Sequence, residues 1–139
     1  MSINNEEGRS LIKKYWHIII PITILIGFFG YKLSLNAGID EMNTEQLANL
    51  MNEPHEDVFF VDVRESHEFN EGHIDGMMNI PLSTLGDQTE LIPKDQTIVI
   101  ICRSGNRSLQ AANALTDLGY QDLVSVKGGM LKWEGEVTK

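Results

Sequence analysis

Residues 98–108 read Ile-Val-Ile-Ile-Cys-Arg-Ser-Gly-Asn-Arg-Ser, and this stretch decides the fold. The β-branched run of Thr97–Ile101 suits a strand covered on both faces. A six-residue loop from Cys102 to Arg107 follows, and the pattern then turns helical from Ser108 to Leu118, with Gly119 as a left-handed terminator. A thiol is a poor nucleophile until its surroundings favour the thiolate. This loop supplies three such influences: the fixed charges of Arg103 and Arg107, the N–H groups opening a helix near Arg107, and Gly105, which permits a turn tight enough for successive amides to face inward. A lone cysteine at a strand end is usually a small buried hydrophobe. Two arginines and a glycine within the next turn are hard to explain that way.

Working outward, the chain from Asn43 alternates helices and strands. Asn43 and Gln46 form a capping-box pattern ahead of Leu47, Leu50 and Met51 at helical spacing, and Asn52-Glu53-Pro54 ends that helix. Asp57–Asp62 is a short apolar strand, His73–Pro81 a second, and Leu82–Ile92 a short helical connection. After Thr97–Ile101 and its helix, Gln121–Val126 gives a last strand, and Lys127-Gly128-Gly129 turns into a short helix over Met130–Trp133. Such alternation predicts an α/β domain with a small parallel sheet flanked by helices. Ligands in these sheets bind beyond the carboxyl ends of the strands, where Cys102 stands.

Composition narrows the chemistry. A chain of 139 residues with one cysteine has no intramolecular disulfide and no Cys-rich zinc site. Any covalent intermediate on Cys102 must be discharged by an outside acceptor. The histidines, His17, His55, His67 and His73, show no metal-ligand spacing with it, so neither a metal nor a cofactor is expected. Net charge is −9, but residues 1–39 carry four basic and two acidic residues and the remainder seven basic and eighteen acidic. An acidic domain without a basic stripe is a poor nucleic-acid surface. Screening beyond about 8 Å leaves the loop arginines able to attract a small anion.

The first forty residues read as an anchor. Between Lys14 and Lys32 lie seventeen residues, Tyr15 to Tyr31, with no formal charge except the titratable His17; their core is Ile18-Ile-Ile-Pro-Ile-Thr-Ile-Leu-Ile-Gly-Phe-Phe-Gly30. Tyr15, Trp16 and Tyr31 sit where an aromatic belt would be, and the flanking lysines could snorkel. A cleaved signal peptide is the competing reading, but Leu35-Asn36-Ala37 is a poor cleavage site. The expectation is a single-pass membrane protein. Its basic N-terminal flank leans towards an extracytoplasmic domain.

From about residue 42 to 135 the chain resembles a single rhodanese domain. The resemblance rests on Phe60-Val-Asp-Val-Arg64-Glu65 with Glu68-Phe69, on Gly72-His-Ile-Asp-Gly76 through Asn79-Ile-Pro81, on Cys102–Ser108, and on Lys127-Gly-Gly-Met-Leu-Lys-Trp133. Four motifs in order make it specific. The expected organisation is a tail over 1–14, a transmembrane helix over 15–33, a linker over 34–41 and a rhodanese domain over 42–139. The resemblance implies a sulfurtransferase in which Cys102 takes the outer sulfur of a small anionic donor such as thiosulfate. The persulfide then passes it to cyanide, a thiol or a protein acceptor. Arg103, Ser104, Gly105, Asn106, Arg107 and Ser108 would cradle the donor. Asp62 and Arg64, at a neighbouring strand end, would either buttress the loop or touch substrate.

His73 reads as structural rather than as a base, Gly128-Gly129 as backbone packing, and Trp133 as a lid for the last helix. The Asn106-Arg-Ser108 sequon reads as coincidence, because a glycan there would block the loop. A membrane-tethered persulfide carrier is the main alternative. Arsenate reduction and phosphatase activity are the others, since Cys-loop-Arg cradles also bind tetrahedral oxyanions. The resemblance associates six residues from Cys to Arg with sulfur transfer and seven with phosphatase activity.

Overall fold

The structure, a computed structural model, describes residues 5–35 and 38–139. Backbone contacts divide the chain at Ala37 into two units. The first holds one helix, α1 (Asn5–Leu35). The single-pass anchor expected over residues 15–33 is corrected here: among the described residues no helix is long and apolar enough to cross a membrane. The uncharged stretch of seventeen residues between Lys14 and Lys32 sits at the lower limit of the roughly 17–25 residues a span takes, and the rest of α1 carries Glu6, Glu7, Arg9 and Lys13. The membrane localisation, the extracytoplasmic lean and the membrane as partner are withdrawn with it. Residues 1–4 of the expected tail, and Asn36 and Ala37 of the cleavage site weighed above, lie outside the described residues.

The second unit, from Gly38 onward, is the α/β domain that the alternation predicts. Its elements are β1 (Ile39–Met42), α2 (Thr44–Met51), β2 (Val58–Asp62), α3 (Ser66–Glu71), β3 (Met78–Asn79), β4 (Thr97–Ile101), α4 (Asn106–Asp117) and β5 (Leu123–Val126). Short 3-10 turns cover Leu82–Asp87, Thr89–Leu91 and Gly129–Lys132. The five strands are all parallel, in the order β1-β5-β4-β2-β3. The central strand is β4, as its unbroken Ile/Val run demands: Ile98 and Ile100 enter one core with Ala111, Ala112 and Leu115 of α4, while Val99 and Ile101 enter the other with Leu47 of α2.

The capping box forms as expected, with Gln46 N–H donating to Asn43 Oδ1 and Asn43 N–H to Gln46 Oε1, both at 2.8 Å. Three stretches differ from expectation. Residues 39–41, assigned to a linker, belong to edge strand β1, whose register with β5 runs from Ile39 opposite Leu123 to Met42 opposite Val126. Residues 66–71, given no element, form α3. The strand expected over His73–Pro81 shrinks to Met78–Asn79, because Gly76 turns the chain at φ +82° and His73 pairs instead with Thr138 near the carboxyl end.

Candidate active site

Cys102 follows the last residue of β4 and is fully buried. One amide of the six-residue loop is directed at its sulfur. Gly105, at φ +106°, aims its N–H at Sγ over 3.1 Å, and the thiol faces Ser108 Oγ at 3.8 Å. Ser108 is buried as well; its hydroxyl bonds the Gly105 carbonyl and Ser125 Oγ, each at 2.8 Å, which ties the first turn of α4 to β5. Arg103, Ser104 and Asn106 are exposed on the loop's outer side.

The loop is held from one side by the turn after β5. Met130 N–H donates to the Cys102 carbonyl at 2.9 Å and Leu131 N–H to that of Arg103 at 3.0 Å. This approach requires glycine: Gly129 has φ +53°, and a Cβ there would collide with the Cys102 carbonyl oxygen and stand 2.7 Å from Arg103's backbone. The packing role expected for Gly128-Gly129 is therefore the observed one. Gly129→Ala is expected to cost at least about 1–3 kcal/mol and to disturb the Cys102 loop. Gly119→Ala, also at positive φ (+87°) but facing open space, supplies the control. Thermal melts and sulfur-transfer rates of the two variants check this; similar activity loss in both would contradict it.

Asp62 and Arg64 form a buried ion pair. Asp62 is buried at 0% exposure and Arg64 at 6%, and the guanidinium engages both carboxylate oxygens, the shortest contact being Nη2–Oδ2 at 2.6 Å. The remaining Arg64 donors reach the Glu68 carbonyl at 3.2 Å and the Gly72 carbonyl at 2.9 Å, so the pair ties down the middle of α3 and its C-cap. Asn79 spans the carbonyls of Asp62 and Arg64 at 3.0 and 2.8 Å.

The residue that sequence reasoning left without a role is Glu68. Carried on α3, its carboxylate grips Arg107 of α4 by two bonds, Nη1–Oε2 at 2.6 Å and Nη2–Oε1 at 2.8 Å. Arg107, expected to cradle the donor, therefore has both terminal nitrogens on a protein carboxylate. The Glu65/Glu68 spacing is that of a helix start and could have placed α3, though not the contact with Arg107; Glu65 N–H donates to Glu68 Oε2 at 3.1 Å. The Arg107 guanidinium holds the Glu68 carboxyl down at about 2, from an ordinary 4.5, against the opposing effect of burial and with help from Glu65 N–H and the Arg64 charge. Glu68 in turn raises Arg107, and the nearby Cys102 adds to that rise.

A depressed carboxyl contributes stability fully above its unfolded value and loses it as pH falls through the folded one. The window here runs from 4.5 down to about 2. Urea denaturation at pH 6 and pH 3 is expected to show a smaller acid-induced loss in Glu68→Gln than in the parent protein. An equal loss in both would contradict the assignment.

His73 is structural: its ring stacks on Phe69 at 3.7 Å and Nδ1 lies 3.0 Å from the Phe69 carbonyl. Trp133 packs against the core on the α2 face of the sheet, with Nε1 donating to the Glu136 carbonyl at 3.1 Å. An open cleft of about 530 Å³ adjoins the loop, lined by Arg64, His67, Glu68, Glu71, Gly72, Arg103, Met130 and Leu131. Among the described residues no His, Cys, Asp and Glu cluster could hold a metal ion.

Known proteins resemble this chain in sequence and fold. Residues 43–136 match the family model described as Rhodanese-like domain. A sulfurtransferase of Allochromatium vinosum is 35% identical over 95 residues, covering 68% of this chain and 88% of that protein. A thiosulfate sulfurtransferase, GlpE, of Tolumonas auensis is 33% identical over 92 residues, covering 66% and 85%. The crystal structure of a rhodanese-like domain protein from Staphylococcus aureus superposes with a TM-score of 0.65 at 33% identity, over 70% of this chain and 93% of that one. With the parallel sheet, the loop at the end of its central strand and these relatives taken together, the chain belongs to the rhodanese-like family of sulfurtransferases.

Proposed function

We propose that this sulfurtransferase takes a sulfane sulfur from thiosulfate or a similar anionic donor onto Cys102 and passes it to an external nucleophile. The Cys102 thiolate attacks the outer sulfur of thiosulfate, the S–S bond breaks, and sulfite leaves with the electron pair. The enzyme retains a cysteine persulfide. Cyanide or a thiolate then attacks the outer sulfur of that persulfide, giving thiocyanate or a new persulfide and returning the Cys102 thiolate. Atoms and electrons balance without a metal or redox cofactor.

The observation that carries this reading is the Gly105 N–H directed at Sγ over 3.1 Å. An amide placed there stabilises negative charge on the thiolate and, after transfer, on the persulfide. Arg103, exposed beside the loop, is the charge that receives the donor's oxyanion end, with the outward faces of Ser104 and Asn106 next to it. Ser108 supports the sulfur from beneath, while Asp62 and Arg64 act through α3. The chain's single cysteine makes the acceptor an outside molecule. The phosphatase and arsenate readings are the weaker ones, because a tetrahedral oxyanion calls for the two-pronged donor set of a free guanidinium, and that of Arg107 is engaged by Glu68.

A steady-state assay of thiosulfate with cyanide tests the reading: thiocyanate should form with ping-pong kinetics. Absence of thiocyanate with cyanide, and of a persulfide with low-molecular-weight thiols, would overturn it.

A further inference from the structure

Glu68 invites a second question, because a carboxylate is an odd neighbour for a site that must attract an anion. Its two oxygens take both terminal nitrogens of Arg107, at 2.6 and 2.8 Å, and α3 is pinned in turn by Arg64 through the Glu68 and Gly72 carbonyls. Arg107 belongs to the Cys102 loop and lies near enough for the sulfur's charge to act on its guanidinium. Four groups thus alternate in sign from Asp62 through Arg64 and Glu68 to Arg107, in two ion pairs, Asp62–Arg64 and Glu68–Arg107. Among the loop's own cations only Arg103 is left exposed without an ion pair among the described residues.

We infer that Glu68 is a specificity-determining positioning residue: by holding Arg107 as a wall of the loop it leaves one cation for the substrate, and so selects against tetrahedral oxyanions. Thiosulfate presents its reacting sulfur to Cys102 and needs a charge only at its far, oxyanion end. Phosphate, arsenate and phosphate esters offer no such sulfur, and their tight binding depends on a guanidinium fork reaching two oxygens together. The Glu68 carboxylate occupies the Nη1–Nη2 edge of Arg107 and balances its charge, so that edge is withheld from an anion while the side chain stays as a structural strut. The inference rests on the Cys102 loop being the donor site proposed above.

The test reads anion binding rather than turnover. The melting temperature of the full chain is followed against added phosphate or arsenate, with sodium chloride at matched ionic strength as the reference, because a ligand of the native state raises it by mass action. The parent protein should show little oxyanion-specific shift. Glu68→Gln, which keeps the size and removes the charge, should bind phosphate at least about tenfold more tightly. The double variant Glu68→Gln/Arg107→Gln should lose that gain, which a merely structural role for Glu68 does not predict. Should Glu68→Gln fail to fold, Glu68→Asp, which keeps the charge but shortens the reach, should show a smaller gain of the same sign. Phosphate binding unchanged in whichever of these variants folds, or a gain that survives removal of Arg107, would overturn the inference. Intact mass after thiosulfate is measured on the same samples. An oxyanion gain with no sulfur uptake by the parent protein would refute the proposed function and leave only the effect of Glu68 on anion binding, whereas sulfur uptake with no oxyanion gain would refute this inference alone.

Discussion

Cys102→Ser is expected to remove sulfur transfer by on the order of 10³-fold or more while leaving the fold intact. The two halves of that expectation come from different parts of the structure. Cys102 is fully buried beside Ala111 and Ala112, in a core where volume matters, and serine is smaller by only the difference between sulfur and oxygen. The hydroxyl can also keep the contacts with Gly105 N–H and Ser108 Oγ. Chemistry is affected far more, because an alkoxide is not available near neutral pH and oxygen forms no persulfide. No other cysteine exists in the chain to take over. Thiocyanate formation and a urea melt on one preparation separate the effects. Residual activity within tenfold of the parent would remove Cys102 from the mechanism.

The largest stability effect is expected at Asp62. Replacing it with asparagine removes the charge that faces Arg64 in a site where neither side chain is more than 8% exposed. Breaking such a pair by removing one partner leaves an uncompensated buried charge, with a cost of about 3–5 kcal/mol. In a domain of this size that lowers the melting temperature by roughly 15 °C or more. The backbone bonds of Arg64 to Glu68 and Gly72 soften the loss without replacing the carboxylate. Because those same bonds position α3, Asp62→Asn should also weaken the Glu68–Arg107 contact, and sulfur transfer should decline at temperatures where the variant is still folded. Urea denaturation measures the first effect and steady-state kinetics the second. A loss under about 1 kcal/mol would place the pair among ion pairs that contribute little.

What was legible in the sequence was what local pattern determines. The Ile98–Ile101 run is apolar at every position and could only be a strand buried on both faces; Asn43 and Gln46 cap a helix wherever they occur; and Cys102, Gly105 and Ser108 meet because six residues of loop bring them together. The missed elements depend on distant partners. Asp40 and Glu41 make β1 look like linker, and only the register with β5 turns it into a strand. The short α3 has too few apolar positions to show a period, and takes its place from Arg64. The Glu68–Arg107 pair joins residues 39 apart, so neither spacing nor composition announces it. Arg64 illustrates the same point from the other side: its position at a strand end allowed either buttress or substrate contact, and its bonds to the Glu68 and Gly72 carbonyls run to a helix that sequence reasoning had not placed. The anchor expected over residues 15–33 rested on seventeen uncharged residues, the lower limit for a span, inside a helix whose remaining turns are charged.

The central claim is that Cys102 carries sulfur, and intact-mass spectrometry after incubation with thiosulfate tests it most directly. The account predicts a gain of one sulfur atom on the parent protein, reversed by cyanide and absent in Cys102→Ser. An unchanged mass on folded parent protein, or a gain that persists in Cys102→Ser, would contradict it.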